Sequence, residues 1–369
     1  MGWLLVAVAA LAQEQPLDPR SSVRIDLADD APLAVMQADL GQSRATARGG
    51  AMILDLRMLL TLKNTSARRV RAVTMLVAAQ EVTPGGKASV AVPSLDVAPG
   101  ATFPIRIDLR LLRPLAAGAG PLINVGLDGV LFNDLSFYGP NRLDSRRAML
   151  VWEAEAQRDR LFFKSVLASR GHEGLQQEVL ASLDRQAQRP RVDVEVARGR
   201  TVTSAANERQ VRFAFLDMPD APVAATEGVA LVHGNEARAP RIDVQNRSAK
   251  AVRHFEIGWL VRDPKGTAYW AASIPGGHEP LAPGASARAS QESRLRFTTS
   301  GKEPVTVASM SGFVSQVEFA DGNVWVPDRR SLANHQLLRI VAPSAEEQRL
   351  AELYRRKGLQ ALMDELKKF

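Results

Sequence analysis

The chain has 369 residues, 46% of them hydrophobic and 24% charged, a balance that suits a folded protein of two or three domains, each with its own core. It contains no cysteine, which excludes disulfides, thiolate nucleophiles, thiolate zinc sites and a lipid-anchored N-terminal Cys. The formal net charge of +7 would favour an anionic partner, but the basic residues fall in short scattered clusters such as Arg68-Arg69 and Arg355-Arg356-Lys357, so no nucleic-acid interface is expected.

Gly2 to Ala12 is a short apolar run that ends in Ala10-Leu11-Ala12, a small-x-small cleavage pattern. It is about half the roughly 20 residues that span a bilayer. We read residues 1–12 as a signal peptide, cleaved after Ala12, and expect a periplasmic or secreted protein without a transmembrane segment once the leader is gone.

From Val23 the pattern is that of strands. Val23, Ile25 and Leu27 alternate, and Leu56, Met58, Leu60 and Leu62 share one face of a longer run that stops at Asn64-Thr65-Ser66-Ala67. Val73, Met75 and Val77 follow, then Ala98-Pro99-Gly100, then Ile105, Ile107 and Leu109. Short strands between Gly/Pro turns argue for an antiparallel β-sandwich. Between Glu153 and Gln188 the period becomes helical, with Leu161, Phe162, Val166 and Leu167, then Leu175, Val179, Leu180 and Leu183. Gly171 and Gly174 lie between the two sets, so two short helices or one kinked helix are expected.

The β pattern then restarts. Val192, Val194 and Val196 alternate; Asn246-Arg247-Ser248-Ala249 echoes Asn64-Thr65-Ser66-Ala67; Ala282-Pro283-Gly284 repeats Ala98-Pro99-Gly100. Phe313 to Val326 reads as a hairpin about Asp321-Gly322, a turn in which φ > 0 is tolerated. Ser344 and Glu347 form a capping-box pattern ahead of Leu350, Leu353, Leu362, Met363 and Leu366 on one helical face. The landmarks recur at nearly constant spacing: Asn64 to Asn246 and Phe137 to Phe319 by 182, Arg146 to Arg329 by 183, and Pro99 to Pro283 and Gly174 to Gly358 by 184. We therefore expect one sandwich-plus-helix unit written twice, with a first sandwich over 20–152, a helical segment over 153–188, a second sandwich over 190–342 and a helical segment over 343–369.

The order strand, Asn-x-Ser turn, strand, x-Pro-Gly turn, strand resembles the immunoglobulin-like and fibronectin-III-like modules of exported bacterial proteins. The Leu-x-Pro-Gly form stands complete in Leu281-Ala282-Pro283-Gly284, with Val97 in the Leu place of the first copy. The resemblance covers the β parts and implies a mainly β fold of two tandem sandwiches; the helical tails depart from its pattern. It implies nothing about chemistry, because its motifs are turns. Trp259 occupies the place of the buried strand Trp of such modules, and Val77 stands there in the first copy.

No catalytic pattern emerges. His172, His233, His254, His278 and His335 lack a second ligand at metal spacing, and there is no Gly-x-Ser-x-Gly and no phosphate loop. Asp26, Asp29 and Asp30 read as a solvated loop rather than a Ca²⁺ site, and the two Asn-x-Ser triplets as turns rather than glycan acceptors. Catalytic, metal and cofactor residues are thus expected to be none. Tyr269, Trp270 and Trp325 are the candidate ligand-stacking residues. The expected function is that of an exported, non-catalytic binding or structural protein, with another envelope or secreted protein as its partner. The alternatives are binding of a carbohydrate or surface polymer through those aromatics, or a hydrolase.

Overall fold

The computed structural model describes residues 14–18, 21–48, 50–80, 85–114, 121–197, 208–275, 280–290 and 294–369. The expected leader at 1–12 and His278 lie outside the described residues. The chain is mainly β with helices and divides into two compact units, 1–149 and 150–369. Among the described residues no helix is long and apolar enough to cross a membrane.

The first unit holds β1 (Glu14–Pro16), β2 (Val23–Asp26), β3 (Leu33–Asp39), β4 (Arg44–Arg48), β5 (Ala51–Asn64), β6 (Val70–Ala78), β7 (Lys87–Val92), β8 (Thr102–Pro114), β9 (Ile123–Phe132) and β10 (Phe137–Tyr138). One sheet runs β1-β4-β5-β3 with β8 on β5; the other runs β10-β9-β6-β7 with β2 parallel on β9. The period-two pattern of β5 explains the layering. Leu54, Leu56, Met58, Leu60 and Leu62 are each no more than 1% exposed, while Arg57 and Leu59 on the other face are exposed. The buried face packs with Val73, Met75 and Val77 of β6 and Val125 and Val130 of β9 in one core. Each such side chain contributes roughly 1.5–3 kcal/mol by leaving water.

The helix α1 (Ser145–Gln188) starts ahead of the expected Glu153. Its first turn is fastened by the buried Asp128, which accepts from the Ser145 hydroxyl at 2.6 Å and from the N–H of Arg142 at 2.8 Å.

The second unit carries most of α1, then β11 (Asp193–Ala197), β12 (Arg209–Phe215), β13 (Val223–His233), β14 (Glu236–Asn246), β15 (Val252–Arg262), β16 (Ala268–Pro275), β17 (Ser286–Ser290), β18 (Arg294–Thr298), β19 (Ser309–Phe319), β20 (Val324–Trp325), α2 (Arg329–Asn334), a 3-10 turn (Leu337–Arg339) and α3 (Ala345–Leu366). Its strands follow the path β11-β18-β14-β13-β12-β19-β15-β16, with β17 on β14 and β20 on β19. β12 pairs antiparallel with β13 through Arg209–Arg212 and parallel with β19 through Phe213–Phe215, so this strand joins the two parts of the sheet. Trp259 is fully buried in the core, with Phe213 and Phe297 edge-on at 6.1 and 5.7 Å. Val77, its counterpart by sequence, is equally buried.

One hydrogen-bond pattern is built twice. Asn64 Nδ2 donates to the carbonyls of Arg68 (2.8 Å) and Val97 (3.2 Å), and its Oδ1 accepts from the N–H (3.0 Å) and hydroxyl (2.8 Å) of Ser66. Asn246 does the same with Lys250 (2.9 Å), Leu281 (2.9 Å) and Ser248 (2.9 and 2.7 Å). The N–H of Gly100 then bonds Asn64 O, and that of Gly284 bonds Asn246 O. Both asparagines are buried and their amides consumed, which explains the Asn-x-Ser triplets as turn chemistry. At the hairpins the match differs from the sequence alignment. Val70 faces Phe132 and Val252 faces Phe319; Arg68 lies over the Phe132 ring at 3.9 Å and Lys250 over that of Phe319 at 5.6 Å. Phe319 thus corresponds to Phe132, not to Phe137, and the spacing there is 187. The run from Pro283 to Phe319 is longer than that from Pro99 to Phe132, and where β8 pairs with β5, β14 pairs with both β17 and β18.

Both long helices break at a glycine. Gly171 (φ 67°, ψ −162°) and Gly358 (φ 80°, ψ −179°) occupy a region essentially closed to other residues. Gly171, rather than Gly174, is therefore the partner of Gly358. The breaks fold each helix back, so that Phe163, Val166, Leu175 and Val179 of α1 form one apolar cluster with Leu350, Leu362, Met363 and Leu366 of α3.

Candidate functional site

A cavity of about 180 Å³ lies in the second unit, between the β15–β19 pair and α1. Its floor depends on two irregularities. Opposite β15, Gln316 faces Glu256 but Val314 faces Ile257, which leaves Ser315 unpaired. This bulge is why the consecutive Ser315 and Gln316 both line the cavity. Between β15 and β16, Trp259 faces Ala272 but Leu260 faces Trp270. Trp270 lies across Gly258, where an added Cβ would sit 2.4 Å from its ring, and packs on Phe313 at 5.6 Å between ring centres. Only glycine admits the ring at that depth.

The roof is one stripe of α1: Val151, Glu155 and Arg158, at i, i+4 and i+7. Leu332 of α2, Leu337 and Leu338 of the 3-10 turn, and the segment Val341 to Ser344 close the sides, with Glu347 of α3 at one end.

The charges in and beside the cavity are unevenly matched. Arg158 makes a two-pronged pair with Asp159, Nε to Oδ1 and Nη2 to Oδ2 each at 3.0 Å, and donates to Pro327 O at 3.2 Å. Arg329 of α2 donates to Asp159 Oδ1 at 3.1 Å and to both oxygens of Glu347 at 2.7 and 3.0 Å, with its guanidinium 4.3 Å over the Phe162 ring. Ser344 donates to Asp159 at 2.6 Å, and Ser182 to Glu347 at 2.6 Å. Burial alone would raise the Asp159 carboxyl, but Arg158, Arg329 and Ser344 together hold it below the usual range. Glu155 is different. Among the described residues its carboxylate makes no hydrogen bond or ion pair, and burial lifts it above the ordinary Glu range against the pull of Arg158.

A second ionic cluster ties α1 to α3: Arg160 with Glu153 and Glu346, and Arg349 with Glu346 (2.7 Å) and Glu365 (2.6 Å). Ser344 does cap α3, accepting from Glu347 N at 3.0 Å. The expected return bond from Glu347 is not made, because its carboxylate is engaged by Arg329 and Ser182.

Of the three aromatics singled out by sequence, Trp270 lines the cavity. Tyr269 is its neighbour on β16, and its hydroxyl donates to Asp263 at 3.3 Å; burial and that carboxylate raise its pKa. Trp325, on β20, donates from Nε1 to Asp220 at 3.2 Å, and β19 and β15 intervene between β20 and β16. The strand order puts it about 14 Å from β16, at ~4.8 Å per strand. The three therefore do not form one platform. His254 approaches Glu256 at 3.4 Å and His335 the carbonyl of Asp217 at 2.7 Å. Among the described residues no group of three or more His, Asp or Glu is placed to hold a metal ion. In the aspartate loop, Asp30 accepts from Tyr138 at 2.7 Å.

Glu155, Glu256 and Gln316 went unremarked in the sequence. Glu155 had one signal: a carboxylate four residues from Val151 on a stripe that also carries Phe162 farther on. Glu256, between Phe255 and Ile257 in an alternating strand, looks like any outward-facing residue.

No family model matches the chain, and no curated protein matches it. Among solved structures, a β-glucosidase from Kluyveromyces marxianus in complex with glucose aligns at 9% identity over 73% of this chain and 46% of its own, TM-score 0.16. Red sea bream transglutaminase aligns at 10% over 77% and 31%, TM-score 0.12, and an allantoicase at 11% over 76% and 83%, TM-score 0.08. The chain spans less than half the length of the first two. Similarity this low carries no argument about fold or activity.

Proposed function

We propose that the protein is an exported, non-catalytic binding protein of the cell envelope, built from one immunoglobulin-like sandwich with a helical tail, duplicated within the chain. The doubled Asn-x-Ser and hairpin chemistry supports the duplication. The observation that carries the binding function is the state of the reactive groups around the cavity. Ser315 donates to Glu256 O at 3.0 Å, Ser344 to Asp159, and Arg158 is held on Asp159. Each of these groups is tied to a fixed partner, so the wall of the cavity is held in one arrangement, which is what a preorganised binding site needs. That supports the binding reading.

The test is affinity capture of the tagged protein from its own envelope fraction, with N-terminal sequencing of the recovered chain. A chain beginning at Gln13 together with a reproducible envelope partner is the expected result. A chain that retains Met1 and stays in the cytosol overturns export. Turnover of a captured small molecule overturns the non-catalytic assignment. Retention on a glycan matrix that is lost in Trp270→Ala and Trp325→Ala would favour the carbohydrate alternative, of whose three aromatics only Trp270 reaches the cavity.

A further inference from the structure

We propose that the cavity beneath α1 is a receptor for a small organic cation, an alkylammonium group with Glu155 as its counter-ion and the Trp270 ring as its apolar face. The proposal rests on the binding-protein reading above and names the ligand class of the same site. Three observations carry it.

The first is charge. Arg158 is spoken for by Asp159, and Glu347 by Arg329, so these pairs add little net charge to the space. Glu155 makes no hydrogen bond or ion pair among the described residues. An anionic ligand would face its carboxylate. A neutral one would leave Glu155 desolvated and still unpaired, a cost the cation removes.

The second is the wall. Trp270, Phe313, Leu332, Leu337 and Leu338 present ring and methyl surface, which rejects a bare metal ion and suits an ammonium with carbon attached. An ammonium over an indole face is attracted to the ring electrons, and more strongly where water is excluded.

The third is size. About 180 Å³ has room for roughly six waters at ~30 Å³ each, which matches a ligand of about five to seven heavy atoms.

The experiment is calorimetric titration of the full chain at neutral pH with n-butylammonium chloride and tetramethylammonium chloride. n-Butanol, sodium butyrate and potassium chloride are the comparison probes. Saturable binding of either ammonium, about tenfold or more tighter than n-butanol, is expected, with no binding of butyrate. Glu155→Gln should weaken the ammonium by about tenfold or more while its melting temperature holds or rises, which separates lost recognition from lost folding. Trp270→Leu should weaken it several-fold. Equal affinity for butylammonium and butanol, heat no larger than that of potassium chloride, or unchanged binding in Glu155→Gln each overturns the proposal. Should the ammoniums fail while the tagged protein still captures an envelope partner, the cation is wrong and the binding function stands. Should the ammonium bind while the chain proves cytosolic, the reverse holds.

Discussion

Replacing Arg329 by Met tests whether the buried ions hold the second unit together. The guanidinium is 7% exposed and makes three charge-assisted bonds, at 3.1, 2.7 and 3.0 Å, to Asp159 and Glu347, which are themselves almost wholly buried. Methionine keeps the packing on Phe162 but leaves two carboxylates facing each other. Breaking a buried pair from one side costs about 3–5 kcal/mol, far more than a surface bridge, because the remaining charge is stranded. Asp159 keeps Arg158, and Glu347 keeps Ser182 and Arg185 at 3.5 Å, so the lower end, about 3 kcal/mol, is expected. Tryptophan fluorescence reports the right unit, since Trp152, Trp259, Trp270 and Trp325 all lie in it and Trp3 lies outside the described residues. With a urea slope of about 2 kcal/mol/M, the midpoint should fall by about 1.5 M. Asp159 is held below its ordinary 3.8, so its contribution is present above that pH and is lost as the pH falls through the native value. The deficit of the variant should therefore shrink in acid, where a stranded carboxylate takes up a proton. Adding Glu347→Gln to Arg329→Met should recover part of the loss. A change below about 1 kcal/mol at neutral pH, or a deficit that does not vary with pH, refutes this account of the ions.

Glu155→Gln should raise the melting temperature at pH 7 and leave it nearly unchanged below pH 4.5, the ordinary Glu value; because its native pKa is raised, the Glu155 contribution is intact in acid and is lost as the pH climbs through that value, and a pH series of wild-type and variant melts checks the sign. Gly258→Ala should displace Trp270, whose ring a Cβ would meet at 2.4 Å, costing about 1–3 kcal/mol and shifting the tryptophan emission, and an unshifted spectrum would mean the ring is not seated there. Asn246→Ala strands the carbonyls of Lys250 and Leu281 and should lower the tryptophan-monitored transition by about 1–3 kcal/mol. Asn64→Ala, its equivalent in the first unit, should lower a transition seen by circular dichroism and leave the tryptophan signal in place.

The parts of the fold set by local chemistry were legible. Leu54 to Leu62 announce a strand with one buried face, and Asn64-Thr65-Ser66 announces a turn, because alternation and side-chain-to-backbone bonding act over a few residues. The helical break was legible as a region but not as a residue. Gly171 and Gly174 are alike in sequence, yet only Gly171 takes φ > 0. Aligning Phe137 with Phe319 failed for a similar reason: a constant offset cannot see that the run from Pro283 to Phe319 is longer than the run from Pro99 to Phe132, and only the strand register shows which Phe matches. The capping box was half legible. Ser344 caps, but Glu347 answers to Arg329, 18 residues earlier, and to Ser182, 165 residues earlier. The cavity was invisible in the sequence, since α1, β15, β16, β19 and α2 each bring between one and three of its residues from distant stretches and a bulge puts the consecutive Ser315 and Gln316 on its lining.

The clasp between α1 and α3 has a consequence for how the chain reaches its native form. Ser344 and Asp159 stand 185 residues apart, and Arg329 and Asp159 170. During synthesis the mid-chain helix emerges with Asp159 answered only by the adjacent Arg158 and Phe163 only by its own helix, and the α3 side of the cluster does not exist until the last twenty or so residues arrive. Loop closure over such a separation is slow, and an apolar helix waiting for its mate is a target for aggregation and for chaperones. Loss of the final helix should therefore be felt less as a trimmed end than as a middle that never finishes folding.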